Sequence, residues 1–258
     1  MKTNGTMLKA FLISGLLFCL SFSSRADYIL NGSASSSGSD CYILTPDEGS
    51  QAGAVWSDQP FSLALDFDLT FQVYLGSSDA GADGIAFVIM PSAGGLGAMG
   101  GGLGYMGLAP SLAIELDTYT NLDPLEDHIA IQRDGDINPW GTLAGPVQAS
   151  AINQNIEDGL WHTVQITWDA SALTLIIYFD GSQRLTYNAD ITSMIFGGNP
   201  QVYWGFTGAT GGARNLQQFC VTSLIFEEAP VVPLSPWALG LAVLLIVGVT
   251  AFRFRKSL

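Results

Sequence analysis

FSLALDFDLTFQVYL, residues 61–75, alternates apolar and polar side chains along its whole length. Leu63, Leu65, Phe67, Leu69, Phe71, Val73 and Leu75 share one face, and Ser62, Asp66, Asp68, Thr70 and Gln72 take the other. Successive residues of a strand point to opposite sides. The stretch is therefore predicted to be a half-buried antiparallel strand, either continuous or bent into two.

Working outward, Gly84–Met90 (GIAFVIM) is apolar throughout and reads as a strand covered on both faces. Tyr42–Leu44 and Ala54–Trp56 are short strands separated by Pro46, Gly49 and Gly53, while polar Asn31–Asp40 (NGSASSSGSD) reads as a loop. Gly94–Gly107 (GGLGAMGGGLGYMG) is too rich in glycine to be anything but a loop. Further strands are predicted at Leu112–Leu116, Ile129–Ile131, Thr163–Trp168 and Leu173–Phe179, the last turning at Asp180-Gly181. Arg184–Asn188, Gln201–Thr207 and Phe219–Phe226 complete the set. No stretch between them sustains a 3.6-residue period. Strands with glycine-rich turns and no helices make an all-β sandwich.

Neither end of the chain belongs to that sandwich. Lys2 and Lys9 precede the apolar run Ala10–Phe22, followed by Ser23-Ser24-Arg25-Ala26. This has the layout of a secretory signal peptide spanning 1–26, with an uncleaved anchor as the alternative. Near the other end, Trp237–Phe252 lacks charge, and Arg253, Arg255 and Lys256 follow. Sixteen helical residues reach ~24 Å, and adding Leu234–Pro236 nearly spans a ~30 Å hydrocarbon core. The expectation is a C-terminal transmembrane helix within 231–258, basic end in the cytoplasm and domain outside the inner membrane. Pro233-Leu234-Ser235-Pro236-Trp237 before it resembles the PEP-CTERM-like sorting tails of Gram-negative bacteria, in a Pro-x-Leu-Ser-x-Trp variant. The expected product is exported to the periplasmic face of the membrane, the cell surface or the medium.

The remaining domain, 27–230, holds all 23 acidic residues against Arg133, Arg184 and Arg214 and no lysine, so its charge is −20 (3 minus 23). Nucleic-acid binding needs a basic footprint, and none exists. Divalent cations and neutral ligands suit such a surface. Only Cys41 and Cys220 lie in this domain. In an oxidising compartment they most simply form one disulfide, two buried thiols being the alternative.

The densest chemistry lies in Ser111–Ile131, SLAIELDTYTNLDPLEDHIAI. Glu115, Asp117, Asn121, Asp123, Asp127 and His128 crowd together there, with Glu115 and Asp117 on one face of a strand. Like charges so placed repel unless a cation sits between them. Calcium takes carboxylate, amide and carbonyl oxygens; an imidazole beside carboxylates suits manganese or zinc.

Four motifs in order carry a family resemblance: Ala82-Asp83-Gly84 entering GIAFVIM; the glycine run ending Gly100-Gly101-Gly102-Leu103-Gly104-Tyr105; Glu115-x-Asp117-Thr118-Tyr119-x-Asn121 with Asp123-Pro124 and His128; and Trp204–Gly211 (WGFTGATG). They resemble the L-type (legume-type) lectins over nearly all of Asp27–Glu228. The resemblance implies a concanavalin-like jelly-roll β-sandwich. It assigns Glu115, Asp117, Asp123 and His128 to a transition metal (Mn2+ or Zn2+), and Asp117, the Tyr119 carbonyl, Asn121 and Asp123 to Ca2+. Only Leu122 separates Asn121 from Asp123, a shorter insert than is usual in the family, and Asp127 rivals Asp123 as the bridging ligand. For a glycan it assigns Asp83 and Asn121 as side-chain partners, Gly101 or Gly102 and Gly211–Gly212 as backbone donors, and Tyr119 as a stacking ring. It also implies a cis peptide at Ala82–Asp83.

The expected function is a metal-dependent, non-catalytic lectin whose partners are glycans, with homo-oligomerisation left open. Some jelly-roll glucanases resemble Glu-x-Asp-x-x-Glu, but here Thr120 stands where the general acid should be. A surface or matrix protein with a non-functional sugar site is the other alternative. His162 reads as structural, and Trp56, Trp161, Trp168 and Trp204 as core or sheet-face packing.

Overall fold

The computed structural model describes residues 27–121, 123 and 127–227. The expected signal peptide (1–26) and C-terminal segment (231–258) lie outside the described residues, as does Pro124. Among the described residues no helix is long and apolar enough to cross a membrane.

Fifteen strands follow one another: β1 Tyr28–Gly32, β2 Ser35–Gly38, β3 Cys41–Thr45, β4 Ala52–Ser57, β5 Phe61–Ser62, β6 Phe67–Tyr74, β7 Gly84–Met90 and β8 Leu112–Asp117. Then come β9 His128–Arg133, β10 Ala144–Gln148, β11 Trp161–Asp169, β12 Thr174–Phe179, β13 Ser182–Asn188, β14 Gln201–Ala209 and β15 Gln217–Phe226. They make two antiparallel sheets. One runs β1-β4-β14-β7-β8-β9-β10, with β5 paired onto β14; the other runs β13-β12-β11-β6-β15-β3-β2. This is the β-sandwich expected from the strand pattern, in the jelly-roll form that the family resemblance implies.

The alternation that began in residues 61–75 does what period two requires. Phe67, Leu69, Phe71 and Val73 of β6 are buried between the sheets, whereas Gln72 is exposed. Phe71 packs on Phe87, Trp204 and Phe206 of the facing sheet, with ring centroids 4.8–5.6 Å apart. The stretch bends at residues 63–66, leaving β5 and β6 on different sheets. Leu63 still enters the core there, and its carbonyl accepts from the Trp168 indole at 2.9 Å.

β7 is buried on both faces. Ile85, Phe87 and Ile89 face the inter-sheet core, while Ala86, Val88 and Met90 join a second cluster with Trp56, Leu103, Tyr105 and Ala113. The cover over that second face is the glycine-rich segment, which holds a 3₁₀ turn at Gly100–Gly102. The Trp56 indole donates to the Gly95 carbonyl at 2.7 Å, pinning this cover to β4. The glycine loop is thus a packed layer over the sheet.

Four elements escape the sequence pattern, the first being β1 (Tyr28–Gly32), a strand at the edge of its sheet. The serine-rich stretch read as a loop contains β2, whose exposed side chains leave its pairing to the backbone alone. β10 contains Pro146, tolerated because the strand is at a sheet edge and its register slips beside the proline. Helix α1, Ile191–Phe196, is too short to show a period; the Asp190 side chain caps its start and Gly197, at φ 61°, ends it. Cys41 and Cys220 are register partners on β3 and β15 and form the expected disulfide. Trp56, Trp168 and Trp204 are buried, and Trp161 lies on the outer sheet face against Tyr74.

Candidate functional site

β7, β8 and β9 lie side by side, and one end of this trio gathers the acidic residues. Gly84 pairs with Asp117, which in turn pairs with His128. Glu115 lies two residues inward, opposite Ala86 and Ala130. Since Ala86 belongs to the loop-covered cluster, Glu115, Asp117 and His128 face the glycine-rich cover rather than the inter-sheet core.

Burial and charge conflict here. Glu115 is 3% exposed, and its Oε2 accepts from the Tyr105 hydroxyl at 2.6 Å. Its Oε1 accepts from Gln132 at 3.2 Å and lies 3.8 Å from His128 Nε2. Asp117 accepts the Tyr119 N–H at 2.9 Å, yet burial pushes its carboxyl well above the usual range, against the pull of His128. Burial alone would lower the His128 pKa. The hydrogen bond to Glu115 and the charges of Asp117, Glu115 and Asp123 outweigh that and lift it to about 9. Burial likewise raises the Tyr105 hydroxyl, which stays a donor. One imidazolium thus faces three carboxylates.

Asp83 sits beside this group, after a cis Ala82–Asp83 peptide. Its N–H donates to the Ala209 carbonyl, its own carbonyl accepts from Thr118, and Gln217 donates to the carbonyls of both Ala82 and Ala209. The side chain is 4% exposed. Burial raises its pKa to about 6, against hydrogen bonds from Asn121 and the Gly211 backbone, and its Oδ2 has no hydrogen-bond partner. Glycine is required around it. A Cβ on Gly101 would stand 2.6 Å from Asn121 Nδ2, and one on Gly211 3.3 Å from Asp83 Oδ2. Asp83, Gly101, Asn121 and Gly211 therefore meet. Gly102 instead packs inside its own loop against Ala98 and Met106, and Gly212 faces open space.

Two cavities flank the loop that follows β8. One, of about 310 Å³, is lined by Gly101, Asp117, Asn121, Asp123, Asp136 and Asn138, among others. The other, of about 270 Å³, is lined by Asp79, Thr118, Tyr119, Thr120 and Asp127. Asp123 thus shares a cavity with Asp117 and Asn121, whereas its rival Asp127 faces the opposite one and accepts the Ile156 N–H at 2.6 Å. Tyr119 is partly exposed at the second cavity.

Among the described residues, no three His, Cys, Asp or Glu side chains are arranged to hold a metal ion as they stand. The donor chemistry nevertheless suits cations, because buried carboxylates with a single imidazole between them lack sufficient positive charge. His162 bonds to Asp180 at 2.8 Å and Asp158 at 3.2 Å, away from this group.

Sequence reasoning missed Tyr105, Gln132 and Asp136. Gln132 carried a usable signal: four residues after His128 on a strand, it must share that residue's face. Asp136, on the β9–β10 loop, reaches the site only through the fold.

A family model described as the legume lectin beta-barrel domain matches residues 22–223. Pesticidal crystal protein Cry22Aa of Bacillus thuringiensis is 32% identical over 194 residues, covering 65% of this chain and 25% of that protein. The chain thus spans about a quarter of that relative's length. The lectin from Bauhinia forficata, solved in complex with GalNAc, superposes with a TM-score of 0.62 at 25% identity, covering 80% of this chain and 93% of its own. Lectin I-B4 from Griffonia simplicifolia, in its metal-free form, gives 0.62 at 23%, covering 81% and 95%. Peanut lectin gives 0.63 at 20%, covering 80% and 95%. The last two likenesses speak to fold alone. With the family model spanning most of the chain and the same sandwich in these lectins, the protein belongs to the legume-type lectin domain family.

Proposed function

We propose that the protein is an exported, metal-dependent carbohydrate-binding protein that does not alter its ligand. The observation that carries this reading is Asp83: a buried carboxylate whose Oδ2 has no partner, set among Asn121, Gly101 and Gly211. An acceptor oxygen beside a carboxamide matches the donors and acceptors of adjacent sugar hydroxyls. The glycines let the backbone approach a small polar ligand.

Asp117, Asn121, Asp123 and the Tyr119 carbonyl would hold Ca2+. Glu115, Asp117, Asp123 and His128 would hold a second, transition-metal ion, Mn2+ or Zn2+. Asp123 takes precedence over Asp127 because it shares the cavity of the other donors. The positive charge these ions supply offsets the repulsion of the buried acids. The chain's own part is to fix Asn121 and hold Asp83 ionised as an acceptor. A hydrolytic role is disfavoured by Glu115, which is covered by Tyr105 and Gln132 and cannot reach a glycosidic bond. The leader at 1–26 and the tail at 231–258 support export and tethering, and clustering on a membrane would raise the avidity of a shallow site.

A glycan array probed with the full chain, with and without chelator, tests the reading. Galactose-type sugars are the first probes, given the GalNAc complex of the Bauhinia relative. Binding should vanish with chelator and return with Ca2+, and should be absent in Asp83→Ala and Asn121→Ala. Turnover of any glycan, or binding indifferent to both substitutions, would overturn it.

A further inference from the structure

The second cavity is polar and acidic and holds none of the residues that the lectin reading uses, apart from Tyr119. Two buried side chains at or near it carry unsatisfied oxygens. Thr118 is 5% exposed and lines the cavity; Glu157 is 1% exposed and lies beside it. The Thr118 hydroxyl lies near enough to the Glu157 carboxyl to favour its charged form, yet Thr118 Oγ1 and Glu157 Oε2 do not meet in hydrogen-bonding geometry. Buried oxygens left unsatisfied are unfavourable, and a bound cation would satisfy them.

Glu157 is held in this position from below. Asn215 Nδ2 donates to its Oε1 and also to the Ser78 carbonyl at 2.9 Å, while the Glu157 N–H donates to Asn155 Oδ1. The charged groups acting on its carboxyl are themselves carboxylates, Asp127 and then Asp79. Asp127, also buried, lines the same cavity, anchored by the Ile156 N–H on its Oδ2. Asp127 and Thr118 thus line the polar space, and the Glu157 carboxyl lies close enough to interact with both.

We propose that Asp127, Glu157 and the Thr118 hydroxyl form a further divalent-cation site, separate from the cavity of Asp117 and Asp123. The donors are all hard oxygens, which selects a calcium-like ion over a transition metal. Calcium takes six to eight oxygens, so water fills the positions the three side chains leave. Asp79, exposed at the cavity mouth, adds negative charge without needing to ligate. The bound ion ties the end of β8 and the start of β9 to the 156–157 turn and, through Asn215, to the segment leading into β15. The site stands independently of the sugar reading, since it uses neither Asp83 nor Asn121.

Calcium stoichiometry of the full chain, measured by equilibrium dialysis with elemental analysis, tests it. Glu157→Gln should bind one equivalent fewer than the unmodified protein, and Asp117→Asn should keep that equivalent. Stoichiometry unchanged in a folded Glu157→Gln protein would overturn the proposal. So would an infrared band of a protonated carboxyl at neutral pH in saturating calcium that Glu157→Gln removes, since the two acids would then share a proton. Crystals of the unmodified protein soaked in terbium supply a test that does not depend on the variant folding. An anomalous peak between Asp127, Glu157 and Thr118 is expected, and its absence at saturation would overturn the proposal. Failure of the lectin reading looks different: glycan binding and the Asp117-dependent ions are absent while the Glu157-dependent equivalent remains.

Discussion

Asp83 is buried at the start of β7 with one carboxylate oxygen lacking a partner, so its value to the fold and its value to a ligand have opposite signs. Asp83→Asn keeps the shape but replaces one acceptor with a donor and removes a buried charge. Glycan binding should fall by at least about tenfold, as expected when a site's acceptor is mismatched, while the melting temperature holds or rises; calorimetry on both proteins checks this. Glu157 permits a prediction about pH. Burial, with the charge of Asp127, raises its carboxyl from 4.5 to about 8. Between those values the folded protein holds a proton that the unfolded chain has released, so stability is full below pH 4.5 and falls as pH rises toward 8. The slope approaches roughly 1.4 kcal/mol per pH unit where the proton is fully retained. In chelator, melting temperatures across this window should decline more steeply for the unmodified protein than for Glu157→Gln, which keeps only the slope from the other raised groups, Asp83, Asp117 and His128. A parallel decline in both would remove Glu157 as its source. The residues that spacing revealed, Glu115, Asp117, Asn121, Asp123 and His128, are near neighbours in sequence. Glu157 and Asn215 stayed hidden because they meet only across the fold, 58 positions apart in sequence.

At the level of elements, the glycine-rich cover decides whether the site can form. Its glycines look equivalent in the sequence, yet their surroundings differ. A Cβ at Gly101 would collide with the Asn121 amide, whereas one at Gly212 would meet nothing within 4 Å. Gly101→Ala should therefore displace Asn121 and weaken glycan binding by about tenfold or more, with little change in melting temperature. Gly212→Ala should leave both unchanged. Surface plasmon resonance on immobilised glycan separates the two, and equal losses would show that the loop acts through general flexibility instead. Strand legibility followed the same physics. β6, β7, β8 and β14 were readable because burial on one or both faces imprints a pattern on side chains. β2 and β10 were not, since both lie at a sheet edge, where the backbone alone makes the pairing. The cover read only as a loop because glycine has no side chain to reveal what it packs against.

For the whole molecule, the disulfide is the one covalent tie between the beginning and the end of the described fold. Cys41 and Cys220 sit in register on adjacent strands of the seven-stranded sheet, 179 residues apart in sequence. The backbone pairing of β3 with β15 and the inter-sheet core remain when the link is gone, so the native sandwich needs no rearrangement to lose it. What changes is the unfolded chain, which gains the freedom of a very long loop. That freedom is worth about 2–4 kcal/mol in favour of unfolding. For a domain of about 200 residues, each kcal/mol shifts the melting temperature by roughly 2–4 °C. Cys41→Ala/Cys220→Ala should thus melt about 5–15 °C below the unmodified protein, with the same circular dichroism at room temperature and the same glycan affinity, because the ligand loops belong to the other sheet. Differential scanning calorimetry under oxidising conditions measures the shift, and adding reductant to the unmodified protein should reproduce it. A melting temperature that does not move would mean the unfolded chain already keeps these ends together. A loss of glycan binding at room temperature would mean the link shapes the native site directly, through the packing of β3 beneath β14.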